Sequence, residues 1–482
     1  MRSLIQSVPS QQTPESLARR LELEPGLVVL RTGMFEVPSA RYSFVTARPI
    51  LRFRSSGSRC ETLQLGAESE VQFGNPWALL NALVARFELL DEESLPFPLG
   101  GIFGFWGYDL KHFVEPRLSR HTVHDLELPD CNVGFYASLV VFDHLENSVF
   151  IVSTGLEANG ERSQSRADTD LDWWKHQLLS EPSSLPFTLS TPFISHCGSS
   201  LQSSFPKHQF LQAVKQAQDW IRSGDIYQVN LAQRLDAEWA FGGLDLFEQL
   251  CRISPSPFAA FIAADEFSIC SSSPELFLRL SGRHAVTRPI KGTRPRHSDP
   301  TLDAALTQEL ITSEKERAEL VMITDLLRND LGRVSEFGSV NVPHLAHLER
   351  FAQVQHLVST IQSTIRAHLT HLDVLESCFP GGSITGAPKI RAMEIIDLLE
   401  PVARGPYTGC IGYLGFNRES QLSIAIRTVV IKDGRAWFHV GAGIVSDSIA
   451  SAEYQETWSK AGGIVSALGI TELDRQTAIN RY

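Results

Sequence analysis

The chain has no CxxC pair, no long apolar run, no dense basic stripe and no internal repeat. Each absence removes a class of function. Its seven cysteines stand singly, at positions 60, 131, 197, 251, 270, 378 and 410. Scattered thiols make neither a zinc knuckle nor an even disulfide framework, and they point to a reducing, cytoplasmic setting. Apolar stretches such as Phe258–Ala264 fall far short of the roughly 18 residues a membrane span needs, so no membrane partner is expected. A net charge of −12 without a basic stripe argues against nucleic acid. An anionic small molecule stays open, because local charge decides that. The opening MRSLIQSVPSQQTPES lacks an apolar core and makes a poor secretion signal.

What remains has the composition of a globular protein, 43% apolar and 20% charged. A length of 482 residues suggests about three domains, fewer if the sheets are large. Residues 1–155 read as β-rich, with short apolar runs at Leu27–Leu30, Ser138–Phe142 and Val149–Val152 between turn signals. Residues 156–202 turn polar and then rich in Ser and Pro, which reads as a linker or surface excursion. From 203 to 465 helix and strand patterns alternate, and 466–482 forms a tail. Phe210, Val214, Ala217 and Ile221 recur at helical spacing. The stretch 227–234 alternates as a strand, with Gln228 and Asn230 on one face and Val229 and Leu231 on the other. Two closely packed α+β lobes are expected.

Several residues carry chemical potential. PIKGT, residues 289–293, sets Lys291 among Arg288, Arg294 and Arg296, and neighbouring cations disfavour the ammonium form. A free amine is a nucleophile, although the motif alone describes a basic surface loop more readily. Glu316 with Glu319, and Glu453 with Glu456 and Lys460, each share a helix face. Two such helices facing one another would hold a hard cation, while either alone reads as a solvated acidic face. Pro380–Lys389 is glycine-rich and precedes a helix, so its amides suit an anion, or it is a tight structural loop. Arg427 ends a buried-looking strand and needs a partner. His356 reads as a core histidine. Glu275 lies sixteen residues before Lys291, where a hairpin would bring them together; a partly buried Glu serves as a general acid.

Taken together these segments resemble the chorismate-utilising enzymes. The blocks are GDIYQVNLAQR, SSSPELFL, TRPIKGTRPR, ITDLLRNDLGR, GGSITGAPKIRAMEII, GYLGF and GAGIVSDSIASAEYQETWSKA, within 203–465. GGIFGFWGYDL and LPDCNVGFYASLVVFDH match more loosely. The resemblance implies an α+β, two-lobed fold with large antiparallel sheets packed as a sandwich and helices outside. It makes 203–465 the chorismate-binding catalytic region. Anthranilate-forming members carry Ala where this chain has Lys291, and members that add water carry a Lys base where it has Gln228. The branch implied therefore aminates chorismate at C4, for folate synthesis, through a covalent Lys291 intermediate with Glu275 as acid. An anthranilate-forming enzyme and a non-catalytic homologue are the alternatives.

The same resemblance implies Mg2+ on Glu319 and Glu456, with Glu316 and Glu453 behind them. Substrate contacts would come from Gly292, Thr293, Tyr407, Arg427, Gly441, Ala442, Gly443 and Lys460, with His356 and Gln228 nearby. A tryptophan pocket would fall on Thr32, Arg41, Tyr42, Pro257 and Phe258, although Thr32 replaces the family's Ser. No G-x-C-x-G glutaminase signature occurs. Ammonia would come from a separate glutaminase subunit, and the short stretch after the second acidic helix leaves no space for a fused lyase.

Overall fold

Strict alternation along the strands decides this architecture, because each central strand separates two cores. In Val28–Arg31, Val28 enters one apolar cluster and Val29 the other. In Phe258–Ala263, Ala260 and Ile262 face the first cluster, and Ala259 and Phe261 the second. A period of two with apolar residues on both faces marks a sheet covered on both sides. The computed structural model describes residues 1–33, 40–64, 68–92, 94–180, 201–350, 354–471, 475 and 478–479.

Among these residues two sheets of twelve strands each form an α+β fold, and every ladder between named strands is antiparallel. The first cluster draws Phe44, Ile262 and Val430 from one sheet and Phe105, Leu278 and Ile361 from the other, so it fills the sandwich. The second cluster lies between the first sheet and the helices Lys207–Arg222, Gly243–Ile253 and Ala450–Ala467. Phe210, Val214 and Ala217 are buried there at the expected helical spacing.

Two expectations are revised. Strands from the first 155 residues and from beyond 203 interleave in both sheets: Val28–Arg31 pairs with Phe258–Ala263, and Gly101–Trp106 with Cys410–Gly415. The composition break near 200 therefore does not divide the sheets. The stretch 156–202 also holds the helix Gln164–Leu179. It forms because Ala167, Leu171, Trp174 and Leu178 fall on one face and are buried, each large side chain contributing about 1.5–3 kcal/mol. Ser163 caps it by accepting from the Arg166 N–H at 3.2 Å. Its polar composition hid a narrow apolar stripe. The Ser/Pro-rich part, 181–200, and most of the tail beyond 471 lie outside the described residues. No helix among the described residues is long and apolar enough to cross a membrane.

Candidate active site

Lys291 sits on a β-bulge. The strand Ile290–Pro295 runs against Val354–Thr364, with Lys291 opposite Leu357 and Thr293 opposite His356. Gly292 is the extra residue, at φ +65°, where a side chain is strained. A Cβ there would stand 2.7 Å from Leu310 Cδ1 and 3.2 Å from Glu316 Oε2. The lysine-bearing strand thus lies directly on the helix Glu314–Gly332. Thr293 Oγ1 and His356 Nδ1 hydrogen-bond at 2.8 Å. Burial, then the charge of Arg427, pulls the His356 pKa down to about 4, so its ring is neutral.

The crowd of cations expected around Lys291 is neutralised. Arg288 pairs with Glu349, Arg294 with Glu309 at 2.9 Å, and Arg296 with Asp303 at 2.9 Å. Glu309 and Asp303 both come from the helix Pro300–Thr312, which the sequence motif alone does not reveal. Carboxylates instead share the surroundings of Lys291: its charge acts on both Glu275 and Glu319.

A hairpin brings Glu275 and Lys291 to the same region, as the spacing suggested. Leu276 pairs with Arg288, so Glu275 precedes one strand and Lys291 follows the other. Glu275 is only 7% exposed. Burial raises its pKa, against the opposing pull of a Ser383 hydrogen bond and of Lys291 and Lys460. The carboxyl keeps its proton to higher pH than an ordinary glutamate, which suits a general acid. Ser383 comes from the glycine-rich segment. A Cβ on Gly382 would stand 2.5 Å from Leu326 Cδ2, and one on Gly381 2.8 Å from Ile424 Cδ1. Close packing accounts for those two glycines. Pro388 occupies the cap rather than the first turn of the helix Lys389–Leu399.

The two acidic helices lie close enough for the Glu456 charge to act on Glu319. Burial raises the Glu319 pKa, opposed by Lys291 and reinforced by Glu316 and Glu456. On the helix Ala450–Ala467, Glu453 is buried, accepts from Ser448 Oγ at 2.6 Å and is also raised, first by burial. Glu456 pairs with Lys460 at 2.7 Å. Desolvated carboxylates with mutual repulsion and oxygen donors only are chemically suited to Mg2+. No three of them gather within 4.8 Å; among the described residues only Asp109, His124 and Asp130 do so. The glutamate spacing suits a cation that keeps waters and uses one or two carboxylates.

The strand Arg435–Ile444 supplies a bare surface between these groups. Gly443 lies opposite Asn230 and Gly441 opposite Ala232. The Ala442 side chain turns the other way, into the helix-side core, so Ala442 presents its backbone to this surface. Gln228 covers Gly443, is fully buried, and neither of its amide atoms has a hydrogen-bond partner among the described residues. Lys460 Nζ donates to the Gly441 carbonyl at 3.0 Å. Tyr407 stacks on His439, ring centres 5.1 Å apart. Arg427 is partly buried with φ +50°, and no ion pair reaches its guanidinium among the described residues. It shares a cavity with His356, Pro257 and Phe258. A guanidinium so placed offers bidentate contact to a carboxylate.

Of the five residues expected around a second pocket, three come together. Tyr42, Pro257 and Phe258 line a cavity with Phe44 and Gly412. Arg41 is instead engaged by Asp143 at 2.8 and 2.5 Å, and the Thr32 N–H donates to Ser43 Oγ at 3.0 Å.

Sequence reasoning passed over two residues that organise the site. Ser383 lay inside a quoted motif with no role. Arg404 joins Glu400 at 2.9 and 2.6 Å, the Asn230 carbonyl at 2.8 Å and the Ile384 carbonyl at 3.2 Å. It also lies over the Tyr407 ring. The i, i+4 spacing of Glu400 and Arg404 was the available signal.

An aminodeoxychorismate synthase component 1 from Klebsiella aerogenes is 40% identical over 93% of this chain and 95% of its own. An anthranilate synthase component 1 from Acetivibrio thermocellus is 37% identical over 95% and 93%. The crystal structure of anthranilate synthase component I from Streptococcus pneumoniae superposes with a TM-score of 0.77 at 32% identity, covering 89% of this chain and 93% of that one. Residues 40–466 match the pattern of the chorismate binding enzyme family, to which this chain belongs.

Proposed function

We propose that the chain is the large component of an aminodeoxychorismate synthase, converting chorismate and ammonia to 4-amino-4-deoxychorismate and water in the cytoplasm. The observation that supports this reading is the hairpin that brings Lys291 near the buried Glu275, close enough for the lysine charge to act on that carboxyl. The Lys291 amine attacks C2, forming an N–C2 bond while both ring double bonds shift toward C4. The C4–O bond breaks, and the hydroxyl leaves as water with the proton of Glu275. The new ammonium returns a proton to Glu275. Ammonia then bonds to C4, both double bonds shift back, and the C2–N bond breaks as Glu275 protonates the departing Lys291 nitrogen; the C4 ammonium then gives a proton to Glu275, which restores the acid.

Arg427, Thr293, Tyr407, Lys460 and the bare Gly441 and Gly443 surface hold the substrate in this reading, with His356 as a neutral partner of Thr293. Gln228 is an amide where a water-activating base would stand, so it favours ammonia over water. Mg2+, held by Glu319 and Glu456 with Glu316 and Glu453 behind, would supply charge neutralisation for a ring carboxylate. Ammonia comes from a separate glutaminase subunit. Similarity to an anthranilate synthase component 1 makes anthranilate formation the second reading, and Lys291 favours C4 amination over it.

Intact-mass analysis during turnover with chorismate and Mg2+ tests the covalent step. A chorismate-derived adduct on the peptide containing Lys291 is expected. Fluorescent anthranilate formed without any added lyase, and no adduct, would establish the second reading instead.

A further inference from the structure

The residues 107–130 fold back on themselves beside the site. Asp109 lies in the short helix Tyr108–Leu110, and Asp130 directly precedes the strand Cys131–Tyr136. One ligand atom each of Asp109, His124 and Asp130 falls within 4.8 Å of the others. The three are nevertheless not bonded to one another: no hydrogen bond or ion pair joins them. Asp109 Oδ2 accepts from the Gly405 N–H at 3.0 Å, and Asp130 Oδ2 from the Gly57 N–H at 2.7 Å. Among the described residues no partner engages the second oxygen of either carboxylate.

Three nearby cations have carboxylate partners of their own. Arg404 is held by Glu400, Arg234 by Asp125, and Lys111 lies 3.8 Å from Asp397. Among the described residues no ion pair within 4.0 Å reaches Asp109 or Asp130, although the charges of Lys111 and Arg120 act on them from farther away. A second observation points the same way. His439, 7% exposed, lines the same cavity, and its buried Nε2 has no hydrogen-bond partner among the described residues. His124 is exposed, which leaves a path from solvent.

We propose that Asp109, His124 and Asp130 form a second cation site, distinct from the glutamate cluster, for a divalent transition ion of the Zn2+ class. An imidazole nitrogen with two carboxylates selects such an ion, whereas Mg2+ takes oxygen donors and water. Both carboxylates are already oriented by backbone N–H groups, as ligands commonly are. The bound ion joins the 107–130 segment to the turn at Gly405, two residues before Tyr407. It acts there as a brace on one wall of the substrate site.

Equilibrium dialysis of the full chain against Zn2+, in excess Mg2+, tests this, with Co2+ as the spectroscopic probe. One Zn2+ retained per chain against Mg2+ is expected, with a Co2+ spectrum of nitrogen and oxygen ligands. His124→Ala alters an exposed side chain, and Asp130→Asn is nearly isosteric. Each should weaken Zn2+ binding by roughly a hundredfold or more, since loss of a supporting contact alone costs about ten- to a hundredfold. Unchanged affinity in His124→Ala would overturn the proposal. So would absence of Zn2+ retention, or a Co2+ thiolate charge-transfer band.

Discussion

Gly292 touches Glu316: the Cβ it lacks would stand 3.2 Å from Glu316 Oε2. This contact ties the bulge that carries Lys291 to the helix that carries the acidic cluster. Gly292→Ala combines a positive φ, costing about 1–2 kcal/mol, with a collision against Leu310. A stability loss of roughly 2 kcal/mol is expected in chemical denaturation. The Mg2+ concentration needed for half activity should rise as well; an unchanged requirement would show that the contact does not couple the two elements.

Lys291→Ala removes the proposed nucleophile at little structural cost, because the residue is only partly buried. Formation of 4-amino-4-deoxychorismate should fall by at least about a hundredfold, or the product should change to anthranilate. Chromatography of the products with chorismate, Mg2+ and ammonia decides. Full activity with the same product would remove the covalent mechanism.

Glu275 holds its proton in the folded state beyond the ordinary carboxylate range. The folded chain then binds a proton that the unfolded chain has released. Its contribution to stability is fully present below the unfolded pKa and is lost as pH rises through the folded value. Glu275→Gln should therefore fold at least as stably near neutrality, yet lose roughly a hundredfold or more in kcat. Thermal melts beside rate profiles across pH separate these effects. Parallel loss of stability and rate would make Glu275 structural.

Glu319 and Glu453 are also raised, chiefly by burial. A cation must displace their protons, so Mg2+ affinity should increase with pH from the ordinary carboxylate range upward. Activity titrated with Mg2+ at a series of pH values measures this. Glu319→Gln should raise the Mg2+ requirement by roughly tenfold or more and flatten its pH dependence.

Arg404 and Glu400 form a pair with side chains 2% and 3% exposed. Removing one partner leaves a buried charge, so Arg404→Met should destabilise by about 3–5 kcal/mol. Replacing both by apolar residues should recover much of that in urea unfolding, without restoring substrate affinity, because Tyr407 loses its support.

The strands and acidic helices were legible because their signals are local. A short apolar run at Leu27–Leu30 marked the strand Val28–Arg31, alternation over 227–234 marked the start of Gln228–Glu238, and spacing placed Glu316 beside Glu319 and Glu453 beside Glu456. Contacts set by distant elements were not legible. Nothing near PIKGT announces that Asp303, Glu309 and Glu349 neutralise its arginines. The helix Gln164–Leu179 escaped because four buried residues sit among charges.

Interleaving of early and late strands imposes an order on synthesis. Val28–Arg31 emerges from the ribosome about 230 residues before its neighbour Phe258–Ala263 exists. Gly101–Trp106 waits longer still for Cys410–Gly415. Until then the nascent chain carries apolar strand edges that nothing covers, and neither sheet can close before nearly the whole polypeptide has been made.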